Sequence, residues 1–471
     1  MTWLVFGASL VYYSILSVKE WSWVFVSQDS GDWLSSVLLT TTPHPYGSPL
    51  YILLGKFLNL FPFDLLLSMT FVLSVIPAAI TIVLIYKIAG AYVNSSLSLI
   101  VSGVVLGFSV MVTQATVLES YAIAVMFLTA SLYFYQRGNT KLWFLSLGLG
   151  TAVHIIIGVL AFAWLVIDRA KWREWLPSLW VVVLSGGAPY LFTLWTMTLD
   201  TPKVFAGWLS IEGILTWLGG TDRIGTLAAV SAPERLYQTL LVAISGLGLA
   251  LIPLYKGIRD RKFIRYGTLA FVMTVIAVFL YVTNLDFTTW TYLYFALPFI
   301  ALFLAHGLKT LNKSHVTAVA LSVVVLISSN AYFLNAGVVN DRNPLAREYR
   351  ESLLSVPDGS AVIIPSGGAT GMGFYYVMSE KPLIPIILDT KGNINYQAFT
   401  EQTNRKYGIQ GSTTLELAHS ALEQGLSVYI AAPVNPLWVK AFELSGDAPL
   451  YRVVSVDLNP DWTEDEIETY G

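Results

Sequence analysis

The chain contains no cysteine, which excludes disulfides, thiolate nucleophiles and cysteine-ligated metals. Charge is scarce as well. Only 12% of its 471 residues are Asp, Glu, Lys or Arg, roughly half the share in a soluble domain. The net charge of −3 offers no basic surface for nucleic acid. There is no internal repeat and no low-complexity tract. A basic leader is missing too: the first apolar segment, TWLVFGASLVYYSILSV, has neither a positive start nor a small-residue cleavage site, so it reads as a retained helix. What is plentiful is apolar surface, at 55% of the residues. Runs of roughly 18 apolar residues, enough to cross a bilayer as helices, recur from Trp3 to about Asn335. The pattern predicts a polytopic α-helical membrane protein.

Apolar spans fall near 3–18, 65–89, 96–114, 118–135, 142–167, 175–198, 236–255, 266–283, 289–308 and 316–336. Read as ten single crossings, they place the loop with Arg137 and Lys141 opposite the loop with Arg169, Lys171 and Arg173. Both loops carry the basic bias of a cytoplasmic face. The conflict vanishes if 142–167 is a helical hairpin, one limb ending near Thr151 and the other returning from His154. Each limb is then about 15–18 Å long and leans on neighbouring protein rather than standing alone. With about eleven segments, cytoplasmic loops collect 13 Lys/Arg against 3 acids, and outer loops 5 against 10. The N-terminus is then cytoplasmic, and everything after Asn335 lies outside. The sequons at Asn94 and Asn312 fall on the cytoplasmic side, where neither is glycosylated.

Residues 1–338 thus form a transmembrane domain with a first outer loop at 19–64, and 339–471 form a second domain. Seventeen of the 30 acids sit in that second part. It alternates amphipathic pieces (NPLAREYRESLL, TTLELAHSALEQGL) with β-branched runs (SAVIIP, LIPIILD, SVYIAAP, LYRVVSVD). Alternating helix and strand with Gly/Pro turns predicts a small extracytoplasmic α/β domain. Its glycine-rich PSGGATGMGF reads as a turn rather than a phosphate cradle, because the spacing is not Gly-x-Gly-x-x-Gly.

The first outer loop interrupts the apolar pattern with Asp29, Asp32 and His44. Asp29 is placed to cap a helix over 30–39, with Asp32 in its first turn; Ser48 caps the next, with Pro49 at its first position. That second helix, PLYILLGKFLNLF, suits the membrane interface. Asp29 as a cap and Asp29 as a base are compatible readings, since desolvation beside an apolar wall raises carboxylate basicity. The proposed topology brings Glu119, His154 and Asp286 to the same outer level, and ionisable groups there are functional candidates or satisfied packing groups. His44 and His154 could join the acids in a zinc site. No histidine pair one helical turn apart supports that, so neither a metal nor another cofactor is expected.

At these residues the sequence resembles a known family. "DSGD…HPYGSPLYILLGK" is similar to an Asp-Ser-Gly-Glu … His-Pro-Pro-Gly-x-Pro-Leu-x-x-Leu-x-Gly signature. That signature belongs to a branch of the GT-C membrane glycosyltransferases related to dolichyl-phosphate-mannose-dependent protein O-mannosyltransferases. "LESYAIAVMF", "LGLGTAVHIII" and "NDRNPLAREYRESLLSVPDGSAVII" resemble further family segments in the same order, covering about residues 27–365. The resemblance implies transfer of a sugar, mannose favoured, from a polyprenyl-phosphate carrier to an acceptor hydroxyl on the outer face, with inversion. It implies Asp29 as base and His154 as first partner of the lipid phosphate, followed by His44, Arg223 and Lys203. Glu119 would orient the acceptor or the sugar hydroxyls. Two departures stand out: Asp32 occupies the family's Glu position and Tyr46 the second Pro, which leaves the role of the second acid open.

Three partners follow from the resemblance: membrane lipid, a lipid-phosphate sugar donor, and a protein or glycan acceptor. The alternatives are transfer to a lipid-linked or surface glycan, and a non-enzymatic lipid transporter or flippase. Transporters place charges near the bilayer midplane and often show repeat symmetry, whereas here the acids collect at outer helix ends. A prokaryotic plasma membrane is favoured over the endoplasmic reticulum.

Overall fold

The computed structural model describes residues 1–17, 33–34, 36–37, 48–196, 247–259, 265–271, 289–334, 352–364, 381–387, 406–411, 414–431, 441–446 and 450–458. The chain divides into two compact units: Met1–Lys19, Tyr46–Trp195 and Gly207–Asn340 in the first, and Glu20–Pro45, Thr196–Ala206 and Asp341–Gly471 in the second.

The first unit is helical. Its elements are α1 (Thr2–Leu16), α2 (Pro49–Leu58), α3 (Leu65–Ala89), α4 (Ser95–Gly107), α5 (Ser109–Thr116), α6 (Tyr121–Gln136), α7 (Thr140–Val153), α8 (Ile155–Ile167), α9 (Leu179–Thr196) and α10 (Leu251–Ile258). A 3-10 helix at Thr289–Ala296 then leads into α11 (Leu297–Lys309), and α12 (Lys313–Leu334) follows. Polar residues between the apolar runs start these helices. The side chains of Asp64, Asn94, Asn139 and Asn312 accept from the backbone N–H groups of Leu67, Leu97, Leu142 and His315 at 2.7, 3.0, 3.1 and 3.0 Å, satisfying donors that a helix start leaves open. Both sequon asparagines therefore serve as caps. Ser48 stands before α2 with Pro49 at the first position, but its hydroxyl makes no capping bond. Of the helix expected over 30–39, Trp33, Leu34, Ser36 and Val37 are described and helical.

Among the described residues, three helices are long and apolar enough to cross a membrane: Leu65–Ala89, Trp172–Thr193 and Lys313–Tyr332. A fourth is made by α4 and α5 together, bent by 63° at Phe108. The sequence pattern suggests one straight span there, and the structure shows why it breaks. Phe108 is extended, at φ −65° and ψ 126°, which takes the carbonyls of Leu106 and Gly107 out of the helical ladder. Both find side-chain donors: the Tyr13 hydroxyl donates to Leu106 O at 3.2 Å, and Asn330 Nδ2 donates to Gly107 O. A Cβ at Gly107 would lie 2.8 Å from Ile327 Cγ1, so glycine lets α12 approach closely enough for Asn330 to reach. Freed backbone groups at membrane depth need such replacements.

The span expected at 142–167 is a pair of helices, α7 and α8, that pack on each other and meet at His154. At about 1.5 Å per residue the limbs are roughly 20 Å long. Their inner ends rest on an aromatic layer in which Trp143 lies 4.5 Å from Phe144, 4.7 Å from Trp175 and 5.6 Å from Trp164, between ring centroids. Outward faces are apolar: Trp3 is 84% exposed, and Leu321, Val324 and Val325 of α12 are also exposed, as befits lipid-facing surface.

The second unit contains a five-stranded sheet of β1 (Ala361–Ile364), β2 (Ile384–Ile387), β3 (Val428–Ala431), β4 (Phe442–Ser445) and β5 (Leu450–Val456), with helix α13 (Thr414–Glu423). The order is β2-β1-β3-β5-β4; β1 runs parallel to β2 and β3, while β5 is antiparallel to β3 and β4. The α/β character expected of the C-terminal part is present. The apolar face of α13 (Leu415, Ala418, Ala421) joins Ile363, Ile384, Ile386, Val428 and Val453 in one core. β4 was not expected from its sequence, FELS, which is short and polar at every second position. PSGGATGMGF lies outside the described residues.

Candidate functional site

The helical pattern of the first unit is broken in five places. α3 carries a π-helical turn at Thr70–Val75, α4 bends into α5, the loop 117–120 separates α5 from α6, His154 separates α7 from α8, and the 3-10 helix precedes α11. The π turn and the 3-10 helix each pack against both α5 and α6. Wider π turns are frequent at functional sites. Here the turn brings Ser74 Oγ to 3.4 Å from the carbonyl of Glu119, at the edge of hydrogen-bond range.

Glu119 is itself buried, at 4% exposure. A carboxylate in such a place needs partners, and Tyr51 of α2 is close enough to feel it. Burial first, and then the Glu119 carboxylate, raise the Tyr51 phenol well above its ordinary value. α2, which is not among the membrane-crossing helices, packs against α3 and α7. It thus delivers Tyr51 to the level of Glu119.

His154 has an extended backbone, φ −149° and ψ 122°, and its Nδ1 accepts from Ile156 N at 3.3 Å. It ends one helix and caps the next. With Nδ1 accepting, a neutral ring carries its proton on Nε2 and presents a donor there. The ring lies 5.2 Å from Tyr121 and 5.2 Å from Phe295, which are 6.0 Å from each other. A half-buried imidazole is therefore held between two aromatic rings, one from the residue pair after Glu119 and one from the 3-10 helix. The His154 break thus packs on Tyr121, which stands two residues after Glu119 in the chain.

Of the other residues expected to form a site, Asp29, Asp32, His44, Lys203, Arg223 and Asp286 lie outside the described residues. Sequence reasoning overlooked Tyr51, Ser74, Tyr121 and Phe295. Two of these stand inside segments already singled out, "PLYILLGK" and "LESYA", where an aromatic among apolar neighbours gave no signal of its own.

A second polar cluster sits at the other end of α6. Buried Asp168 accepts from the Tyr135 hydroxyl and from Arg265 Nη1, and Lys171 Nζ donates to the Tyr135 oxygen at 3.1 Å. It ties three segments together at the ends carrying the basic loops.

Among the described residues, then, the first unit is a helical body whose breaks set His154 against Tyr121 and Phe295 and buried Glu119 near Tyr51. The second is a small mixed α/β sheet. The chain is similar to ArnT of Cupriavidus metallidurans in its apo state, with a TM-score of 0.61 and 10% identity over 96% of this chain and 97% of that one. It is similar to the same protein bound to undecaprenyl phosphate, at 0.64 and 11% over the same shares. The Archaeoglobus fulgidus oligosaccharyltransferase overlaps less closely, at 0.49 and 13% over 97% of this chain and 74% of that one. No protein-family model and no curated protein sequence matches the chain. The chain thus shares the fold of the ArnT structures, and three helices among its described residues are long and apolar enough to cross a membrane.

Proposed function

We propose that this protein is a GT-C glycosyltransferase that moves a sugar from a polyprenyl- or dolichyl-phosphate carrier to an acceptor hydroxyl on the outer face of the membrane. Mannose is the favoured sugar and protein the favoured acceptor, as the sequence resemblance implies. The observation that carries the reading is the packing of His154 between Tyr121 and Phe295, beside the loop that holds buried Glu119. The ArnT structure similar to this chain holds undecaprenyl phosphate, which supports a carrier of that chemistry.

In this reading the acceptor oxygen attacks the anomeric carbon in line, and Asp29 takes the hydroxyl proton. The carbon–oxygen bond to phosphate breaks with inversion, and its electron pair leaves on the lipid phosphate. His154 donates from Nε2 to a phosphate oxygen, a hydrogen bond that strengthens as charge builds on the leaving group. His44, Arg223 and Lys203 add to the same anion. Glu119 and Asp286 accept from sugar or acceptor hydroxyls, and Asp32 supports Asp29 at its helix start. The chain crosses the membrane in about eleven segments, N-terminus inside, with the division between domains near residue 338 and a prokaryotic plasma membrane as its site. The charge bias of its loops supports that orientation.

The test offers purified protein a panel of polyprenyl-phosphate sugars and follows release of the lipid phosphate, with Asp29→Asn and Glu119→Gln alongside. Sugar-selective turnover abolished by Asp29→Asn is the expected result. Absence of turnover with every donor, in folded protein supplied with protein and glycan acceptors, overturns the reading.

A further inference from the structure

The basic end of the helical unit carries a second feature, which catalysis at the outer end does not use. A groove of about 670 Å³ is lined by Leu251, Ile252, Tyr255, Lys256, Arg259 and Thr310. Five of these come from one face of α10 and its last turn, and Thr310 from the end of α11. The groove has two chemistries. Leu251, Ile252 and Tyr255 form an apolar floor, with Ile252 and Tyr255 exposed. Lys256 and Arg259 form a cationic rim, the Arg259 guanidinium lying over the Tyr255 ring at 5.3 Å. That contact orients the guanidinium.

The walls are rigid. A Cβ on Gly257 would collide with the Phe303 carbonyl, and one on Gly307 with the Pro253 carbonyl. α10 and α11 thus cross in backbone contact, through glycines on both helices, as membrane helices do at small residues. The cationic rim also continues in the sequence: residues 256–265 hold Lys256, Arg259, Arg261, Lys262 and Arg265 against the single acid Asp260.

We infer that this groove is a binding site for an anionic glycerophospholipid of the leaflet facing the basic loops. The phosphodiester sits between Lys256 and Arg259, and the first part of its acyl chains lies on Leu251, Ile252 and Tyr255. Charge complementarity selects the occupant: a zwitterionic lipid brings its own cation to a cationic rim, and a soluble phosphate leaves the apolar floor uncovered. Clustered bases at a membrane helix end recognise anionic headgroups, each contributing roughly a factor of five in affinity.

The test uses the full chain in detergent, with phosphatidylglycerol and phosphatidylcholine of equal chain length, and counts retained lipid by native mass spectrometry. Phosphatidylglycerol is retained over phosphatidylcholine by the wild type. Its affinity falls about 25-fold in Lys256→Gln/Arg259→Gln and stays within twofold in Lys141→Gln, which removes one charge outside the groove as Lys256→Gln removes one within it. The exchange Lys256→Arg/Arg259→Lys keeps the charge and keeps the lipid. Should the double variant fail to fold, Lys256→Gln alone lowers affinity about fivefold. Equal retention of both lipids, or an equal loss in Lys141→Gln, overturns the site. So does displacement by inorganic phosphate, or by an equimolar polyprenyl phosphate in preference to phosphatidylglycerol. Lipid retention is read without turnover, so this outcome is independent of the proposed transfer reaction.

Discussion

His154 separates the chemical role of the hairpin tip from its structural one. Its Nδ1 caps α8 through a long bond of 3.3 Å, and its ring packs at 5.2 Å on each of Tyr121 and Phe295. His154→Phe keeps the ring packing and deletes both the cap and the Nε2 donor. A cap of that length sits at the weak end of its kind, about 0.5 kcal/mol, so the variant unfolds within a few degrees of the wild type. If Nε2 donates to the leaving phosphate, its loss removes a hydrogen bond to a charged group, about 1.5–3 kcal/mol, or roughly a ten- to 150-fold fall in kcat/KM. His154→Asn makes the complementary change. It retains an N-cap oxygen but reaches neither ring, so it loses packing as well as the donor. The assay is lipid-phosphate release under kcat/KM conditions, with unfolding midpoints measured on the same samples. His154→Phe turning over within twofold of wild type refutes His154 as a phosphate donor. Loss of turnover that merely tracks loss of the folded state makes it a structural residue.

Four further outcomes are expected. Because the chain has no cysteine, single substitutions report topology without background: Lys141→Cys and Arg173→Cys label from the same face and Asp64→Cys from the other, and labelling of the first two from opposite faces removes the hairpin as a pair of limbs returning to one side. Gly307→Ala drives a Cβ into the Pro253 carbonyl and costs about 1–3 kcal/mol or more of overpacking, whereas Gly187→Ala, with nothing within 4 Å of the added carbon, is neutral or stabilising in thermal unfolding. Asn330→Leu leaves the Gly107 carbonyl without its donor and costs about 0.6–2 kcal/mol, read as a lower unfolding midpoint in detergent. The Tyr51 phenol is raised above 10.0 by burial and then by Glu119, so its neutral form supports the fold below pH 10 and that support is lost as pH rises further. Glu119→Gln removes the second cause and makes the alkaline loss shallower, with Tyr51→Phe as the reference.

Much of the architecture is legible because two-period and 3.6-period patterns are local. "SAVIIP" becomes β1 and "TTLELAHSALEQGL" becomes α13, whereas the caps at Asp64, Asn94 and Asn139 were not expected and Ser48, which was, makes no capping bond. The division of 142–167 into two helices at His154 was legible for a different reason: the basic bias of the flanking loops called for an extra turn there. The bend at Phe108 was not legible. Nothing in SSLSLIVSGVVLGFSVMVTQAT breaks the apolar pattern, and the donors that tolerate the break, Tyr13 and Asn330, lie 93 and 223 residues away in sequence from the carbonyls they serve. Tyr51, Tyr121 and Phe295 were hidden for the same reason, since an aromatic in an apolar run looks like core until its neighbour across space proves to be an imidazole or a carboxylate.

That difference between what is local and what is not also explains where the site lies. A helix in a membrane breaks only where its freed carbonyls and N–H groups are taken up by protein or line a polar cavity. Five breaks scattered through the unit would require five separate sets of partners. Some of them do share contacts: Ser74 from the π turn reaches the loop of Glu119, and His154 closes its own break while packing on Tyr121 and Phe295, whereas the bend at Phe108 has its own donors in Tyr13 and Asn330. A polar region built to satisfy broken backbones is also one that supplies donors and acceptors to a charged substrate. The position of the broken helices therefore argues for the site independently of any titratable residue. A corollary follows for the π turn. Deleting one residue from Thr70–Val75 restores regular α-helix and rotates Ser74 away from the Glu119 carbonyl. Such a deletion should abolish turnover while α3 still forms, as read by circular dichroism. Retained turnover after it would separate the breaks from the chemistry.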